Sequence, residues 1–122
     1  MPEIQIKRIY DERSPLDGMR ILVDRIWPRG VSKERAALDH WAKDLAPSTG
    51  LRQWFHRDTG HWGEFQTRYR AELAQHEAEI TELRAKIARH RATLLFAAAD
   101  VEHNHAMVLK DVLETAYRLE RR

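Results

Sequence analysis

Met19-Arg20-Ile21-Leu22-Val23-Asp24-Arg25-Ile26-Trp27-Pro28-Arg29-Gly30 sets the reading of the whole chain. Its near-continuous apolar centre predicts a strand over residues 19–26, buried on both faces. Proline removes a backbone donor and glycine permits a sharp turn, so the strand ends at Trp27-Pro28-Arg29-Gly30. Filling a core does not call for a carboxylate, two guanidinium groups and an indole so close together. A second stretch mirrors this one. Residues 93–98 read as a buried strand, and Asp100 and His103-Asn104-His105 follow it.

Outward from these two strands, the chain alternates strands with helices. Ile4, Ile6 and Ile9 mark a first strand over residues 3–9, and Ser14-Pro15 and Asp17-Gly18 mark turns. Ser32 caps a short helix reaching Ala37, with Glu34 in its first turn. Residues 38–46 suit a helix through Leu38, Trp41 and Leu45, or a short strand between Asp and Pro signals. A turn is expected at Pro47-Ser48-Thr49-Gly50, then a helical turn or two around Leu51, Trp54 and Phe55, with Asp58 or Thr59 capping the next helix.

From Trp62 the apolar stripe Phe65, Tyr69, Leu73, Ile80, Leu83 and Ile87 is helical. One helix over residues 62–88 would be about 40 Å long, against a radius of gyration of about 14 Å for a domain of this size. A break near His76, where the stripe lapses, is therefore expected. Residues 104–122 form a last amphipathic helix through Leu109, Val112, Leu113, Ala116 and Leu119. The expected fold is a single small α/β domain over residues 1–122, with a largely parallel sheet flanked by helices.

Composition narrows the function classes. At 122 residues the chain is long enough to bury a core without staples. It has no cysteine, which excludes disulfides, thiolate metal sites and thiol nucleophiles. The start has no apolar signal core and no stretch approaches membrane-spanning length, so a cytoplasmic location without membrane contact is expected. Twenty-one basic residues against nineteen acidic ones give a net charge of +2. Their interleaving argues against nucleic acid, and the basic run at residues 84–91 reads as a solvated helix face.

In open α/β sheets ligands gather beyond the carboxyl ends of the strands. Arg25 and Arg29 are planar, permanently charged forks suited to phosphate or carboxylate. The last helix offers an N-terminus near Asn104. These features point to a small anionic ligand held by Arg25, Trp27, Arg29, Gly30, Asp100 and Asn104, with His103, His105 and Asp24 as candidates for proton handling. The bland alternative is that Asp24 simply caps, or pairs with Arg25 or Arg29, and that Trp27 is a core residue beneath a rigid turn. A metal reading uses His103 and His105, which converge only if their segment is extended, with Asp100 or Asp24 completing the set. Two further alternatives are a nucleic-acid module on the 84–91 surface and an interaction protein using the last helix or a projecting 62–88 arm. No motif names a cofactor, a reaction or an oligomeric state: there is no P-loop, no G-x-G-x-x-G, and no recognisable motif around Ser14, Ser32 or Ser48.

Residues 20–30, Lys43-Asp44-Leu45-Ala46-Pro47-Ser48, Arg52-x-Trp54-Phe55, and Thr93-Leu94-Leu95-Phe96-Ala97-Ala98-x-Asp100 with His103-Asn104 are similar to one family. In them the chain resembles the YeaO-like branch of domain-of-unknown-function family 488, in order along nearly its whole length. The resemblance implies a small bacterial cytoplasmic α/β protein and supplies no reaction. The wider family often has a cysteine-histidine-arginine cluster where His103-Asn104-His105 stands, so thiol chemistry does not transfer. The Asn-Pro turn common near position 76 is replaced here by Gln75-His76-Glu77.

Overall fold

The computed structural model describes residues 3–120, apart from the side chains of residues 59 and 116–120. Strands β1 (Ile4–Arg8), β2 (Met19–Leu22), β3 (His40–Trp41) and β4 (Ala92–Phe96) form one sheet in the order β1-β4-β2-β3. Every neighbouring pair is parallel, with Ile21 level with Leu94 on one side and His40 on the other. Helices α1 (Lys33–Ala36), α2 (Thr49–Arg57), α3 (Trp62–Ala74), α4 (Glu77–Ile87) and α5 (His105–Glu120) complete a single α/β domain.

All of β4 is buried, as a central parallel strand covered on both faces must be. Strand alternation then divides the core. Ile21, Val23, Leu94 and Phe96 pack with Phe65, Tyr69, Leu83 and Leu109 beneath α3, α4 and α5. Leu22 and Leu95 join Ile9, Val31 and Ala36 in a second cluster, against which Trp27 and Trp41 pack. Helices roof one face, whereas a loop and the single turn of α1 roof the other. Trp27 and Trp41 meet edge to face with centroids 5.4 Å apart, and these large rings let a thin layer of chain cover that face.

The amino end of β2 is fixed by buried charge. The Asp17 carboxylate accepts from Arg20 Nη1 at 2.5 Å, from Lys7 Nζ at 3.0 Å and from the Ser14 N–H at 3.0 Å. Arg20 Nε donates to the Ala36 carbonyl at 2.8 Å, tying α1 to the same knot. Gly18 next to it has φ +66°, and a Cβ there would lie 2.1 Å from the Arg91 carbonyl oxygen. Glycine is what allows β2 to start so close to β4.

Several local expectations hold. Ser32 accepts the Arg35 N–H and starts α1. Asp58 accepts the Gly60 N–H and caps a 3-10 helix at Thr59–His61. The expected break falls between Ala74 and Glu77. Because of it, Phe65, Tyr69 and Leu73 on one helix and Ile80, Leu83 and Ile87 on the next face the same core.

Other expectations are corrected. The strand expected over residues 19–26 ends at Leu22. Val23 still donates to the Leu95 carbonyl at 3.0 Å, but the next β4-side donor, Ala97 N–H, goes to the Asp24 carboxylate instead of a ladder carbonyl. In the ambiguous 38–46 stretch, the Asp39 and Ala42 N–H groups reach the Arg20 and Leu22 carbonyls, both at 2.8 Å. This makes His40–Trp41 an edge strand, followed by a 3-10 helix at Lys43–Leu45. The turn expected at residues 47–50 is cut short because Ser48 Oγ accepts the Leu51 N–H and α2 starts at Thr49. Ala116 and Leu119, expected on the last apolar stripe, lie outside the described side chains. No helix among the described residues is long and apolar enough to cross a membrane.

Candidate functional site

The two polar segments meet beyond the carboxyl ends of β2 and β4. Asp24 is the junction. Its Oδ2 accepts the Ala97 N–H at 3.0 Å, and its backbone carbonyl accepts Trp41 Nε1 at 2.7 Å. Its Oδ1 lies 2.8 Å from Nε2 of His105, the first residue of α5. That approach is close but not aligned as a regular hydrogen bond, and neither buried atom has another partner. At this distance the contact is electrostatic. One carboxylate thus joins β2, β4 and α5.

The walls around the pair are aromatic. The His105 ring meets Tyr69 and Phe96 edge-on, at 6.4 and 6.5 Å. The Tyr69 hydroxyl is buried and donates to the Leu45 carbonyl at 2.5 Å. Burial, then Glu72 and Asp24, push the phenol far above its ordinary range against the opposing pull of Arg25. It therefore stays protonated and serves as a fixed donor.

Arg25 does not pair with Asp24. Its Nε and Nη2 donate to the carbonyls of Pro47 and Ala46, at 3.2 and 3.0 Å. This ties the loop after β2 to the entrance of α2. Arg29 is exposed and has no side-chain partner among the described residues; only its carbonyl is engaged, by the Tyr10 hydroxyl at 3.1 Å. Gly30 turns the chain at φ +77°, and a Cβ there would meet open space. Trp27 is half-buried, donates through Nε1 to the Val31 carbonyl at 2.6 Å and packs on Trp41, so it belongs to the loop roof.

At the start of α5 the chain supplies its own anion. Asp100 Oδ1 accepts the N–H groups of Glu102 and His103 at 2.8 and 3.0 Å. Those two bonds outweigh desolvation and, with help from His103, hold the exposed Asp100 carboxyl below its ordinary value. Asn104 is buried, donates Nδ2 to the Asp100 carbonyl and caps α5 by accepting the Met107 N–H at 3.1 Å. His103 turns away from His105. Its Nδ1 lies 3.1 Å from Asp100 Oδ2, and its ring meets Trp62 edge-on at 5.2 Å.

The histidines thus face separate carboxylates. Among the described residues no three His, Cys, Asp or Glu side chains gather in metal-holding geometry. The convergence on which the metal reading depended is not found: Asp100 holds His103 in the loop before α5, and His105, the first residue of α5, faces Asp24.

Sequence reasoning missed Glu72 and the use made of Ser48. Glu72 accepts the Ser48 N–H at 2.8 Å and its hydroxyl at 2.5 Å, pinning α2 to α3. Glu72 stands one turn beyond Tyr69 on α3, but no local signal links it to a serine before α2.

A family model described as the inactive DUF488-N3 subclade matches residues 3–122. The chain belongs to the DUF488 family. Within DUF488, the uncharacterized protein YeaO of Escherichia coli (strain K12) is 47% identical over 112 residues, covering 92% of this chain and 97% of YeaO. The uncharacterized protein Rv3073c of Mycobacterium tuberculosis (strain ATCC 25618 / H37Rv) is 40% identical over 110 residues, 90% of this chain and 92% of the relative. No solved structure matches this DUF488 chain.

Proposed function

We propose that this DUF488 protein is a non-catalytic binding protein for a small phosphate- or carboxylate-bearing ligand, held at the carboxyl end of the sheet by Arg29 and Arg25. One observation carries the reading. The Asp-Arg-Ile-Trp-Pro-Arg block keeps two permanent cations without an acid: Asp24 faces His105 and Ala97, Arg25 donates to neutral carbonyls, and Arg29 has no described partner. Carbonyls orient a guanidinium without cancelling its charge, so Arg25 stays available to an anion as a cation.

Binding is favoured over catalysis on two grounds. The subclade of the matching family model is described as inactive. The Asp24–His105 pair has the base-and-orienter half of a proton relay, but the Ser48 hydroxyl is engaged by Glu72. Asp100 satisfies loop donors that an incoming anion would otherwise use, which favours the arginines over the Asn104 end of α5 as the ligand's seat.

Calorimetric titration with inorganic phosphate and with citrate tests this. The native chain is expected to bind one of the two, and Arg29→Ala to weaken that binding at least about tenfold, since a charge-assisted contact is lost. Unfolding of the variant should stay within about 0.5 kcal/mol of the native chain, as for an exposed side chain. Affinity unchanged in Arg29→Ala, or neither anion bound at low salt, overturns the assignment.

A further inference from the structure

A cavity of about 160 Å³ lies between the carboxyl end of β3 and α4, apart from the arginines above. Trp41, Ala42, Leu45 and Leu83 give it apolar wall, and apart from His40 the remaining lining is charged in both senses. Lys43 and Asp44 come from the 3-10 helix after β3, and Glu82 and Lys86 from α4. Glu82 and Lys86 have the spacing at which helix neighbours pair, yet no ion pair forms between them among the described residues. Lys43 Nζ lies 4.9 Å over the Trp41 ring, and Asp44 has no described cationic partner. Glu79, also on the wall, is engaged by His76 at 3.6 Å. His40 completes the lining, and burial, then Lys86, hold its imidazole below the ordinary value despite Glu82. It therefore stands as a neutral polar group between the two signs.

Two ammonium groups and the carboxylates of Asp44, Glu79 and Glu82, with no ion pair between the two sets among the described residues, surround one small space and match a ligand that carries both charges. A purely anionic or cationic ligand would leave one sign unmatched. At roughly 30 Å³ per water, the cavity holds on the order of five waters, the scale of a solute with few heavy atoms. Its position at a strand's carboxyl end is where parallel sheets usually receive ligands. We propose that this cavity binds a small free α-amino acid, its carboxylate toward Lys43 and Lys86 and its ammonium toward Asp44 and Glu82. A volume of about 160 Å³ suits a small side chain such as that of glycine, alanine or serine.

The test is amide chemical-shift titration of the full chain with alanine, alongside N-acetylalanine and alanine amide, each lacking one charge. Alanine is expected to shift β3 and α4 resonances, with both analogues at least about tenfold weaker. Lys86→Gln and Glu82→Gln, both at exposed positions, should each weaken alanine about tenfold without altering the melting temperature. No response to glycine, alanine or serine overturns the proposal. So does N-acetylalanine binding as tightly as alanine, or an affinity that neither substitution changes.

Discussion

Asp17→Ala is expected to destabilise the fold by about 3–5 kcal/mol, the usual cost of orphaning a buried charge. Arg20, with only 5% of its side chain exposed, would keep the Ala36 carbonyl as its hydrogen-bond partner and lose its counter-ion. Lys7 and the Ser14 N–H would lose the same acceptor. Urea unfolding measures the loss. Adding Arg20→Met should recover part of it, because the orphaned charge is then gone. A single variant as stable as the native chain would show that the knot contributes nothing.

The same group shapes the acid limb of stability. Burial works against ionised Asp17, but the Ser14 N–H, Lys7 and Arg20 prevail and hold its pKa below the ordinary 3.8. A depressed carboxylate contributes stability that is present above the unfolded value and lost as pH falls through the folded one. Native stability should therefore fall as pH drops below about 3.8, and Asp17→Asn should lack that part of the slope.

Asp24→Ala is the second large effect, at about 2–4 kcal/mol. It leaves the Ala97 N–H without its acceptor, at about 1–3 kcal/mol, and removes the Asp24–His105 electrostatic contact, at about 1 kcal/mol. Asp24→Asn retains an oxygen for Ala97 and should recover about 1 kcal/mol. A double-mutant cycle with His105→Ala should give a coupling of about 1 kcal/mol or more, since the residues touch. Loss of less than about 0.5 kcal/mol in Asp24→Ala would mean that the junction is not what joins β2, β4 and α5.

The legible parts of the sequence were the local ones. Ser32, Asp58 and Asn104 announce helix starts because a cap bonds to N–H groups two or three residues away. The break near His76 was legible because the apolar stripe lapses there and an unbroken helix would overrun the domain. The convergence of the two polar segments followed from parallel-sheet geometry once both strands were identified. Residues 38–46 were not legible. Leu38, Trp41 and Leu45 fit a helical period equally well, and only the open edge of β2 selects a strand.

By itself the sequence determined the α/β class, the two buried strands, most helix starts and membership of a family through its Trp-Pro-Arg-Gly block. These depend on periodicity, capping and turn chemistry, which act over a few residues. Tertiary structure decided which acid meets which base. Asp24 could have paired with Arg25 or Arg29 next to it, and instead the sheet turns its carboxylate toward Ala97 and His105. Arg25 reaches Ala46 and Pro47, and Glu72 reaches Ser48, across loops of the fold. An ionised side chain accepts any partner of suitable charge or hydrogen-bonding type within reach, and reach between distant segments is set by packing.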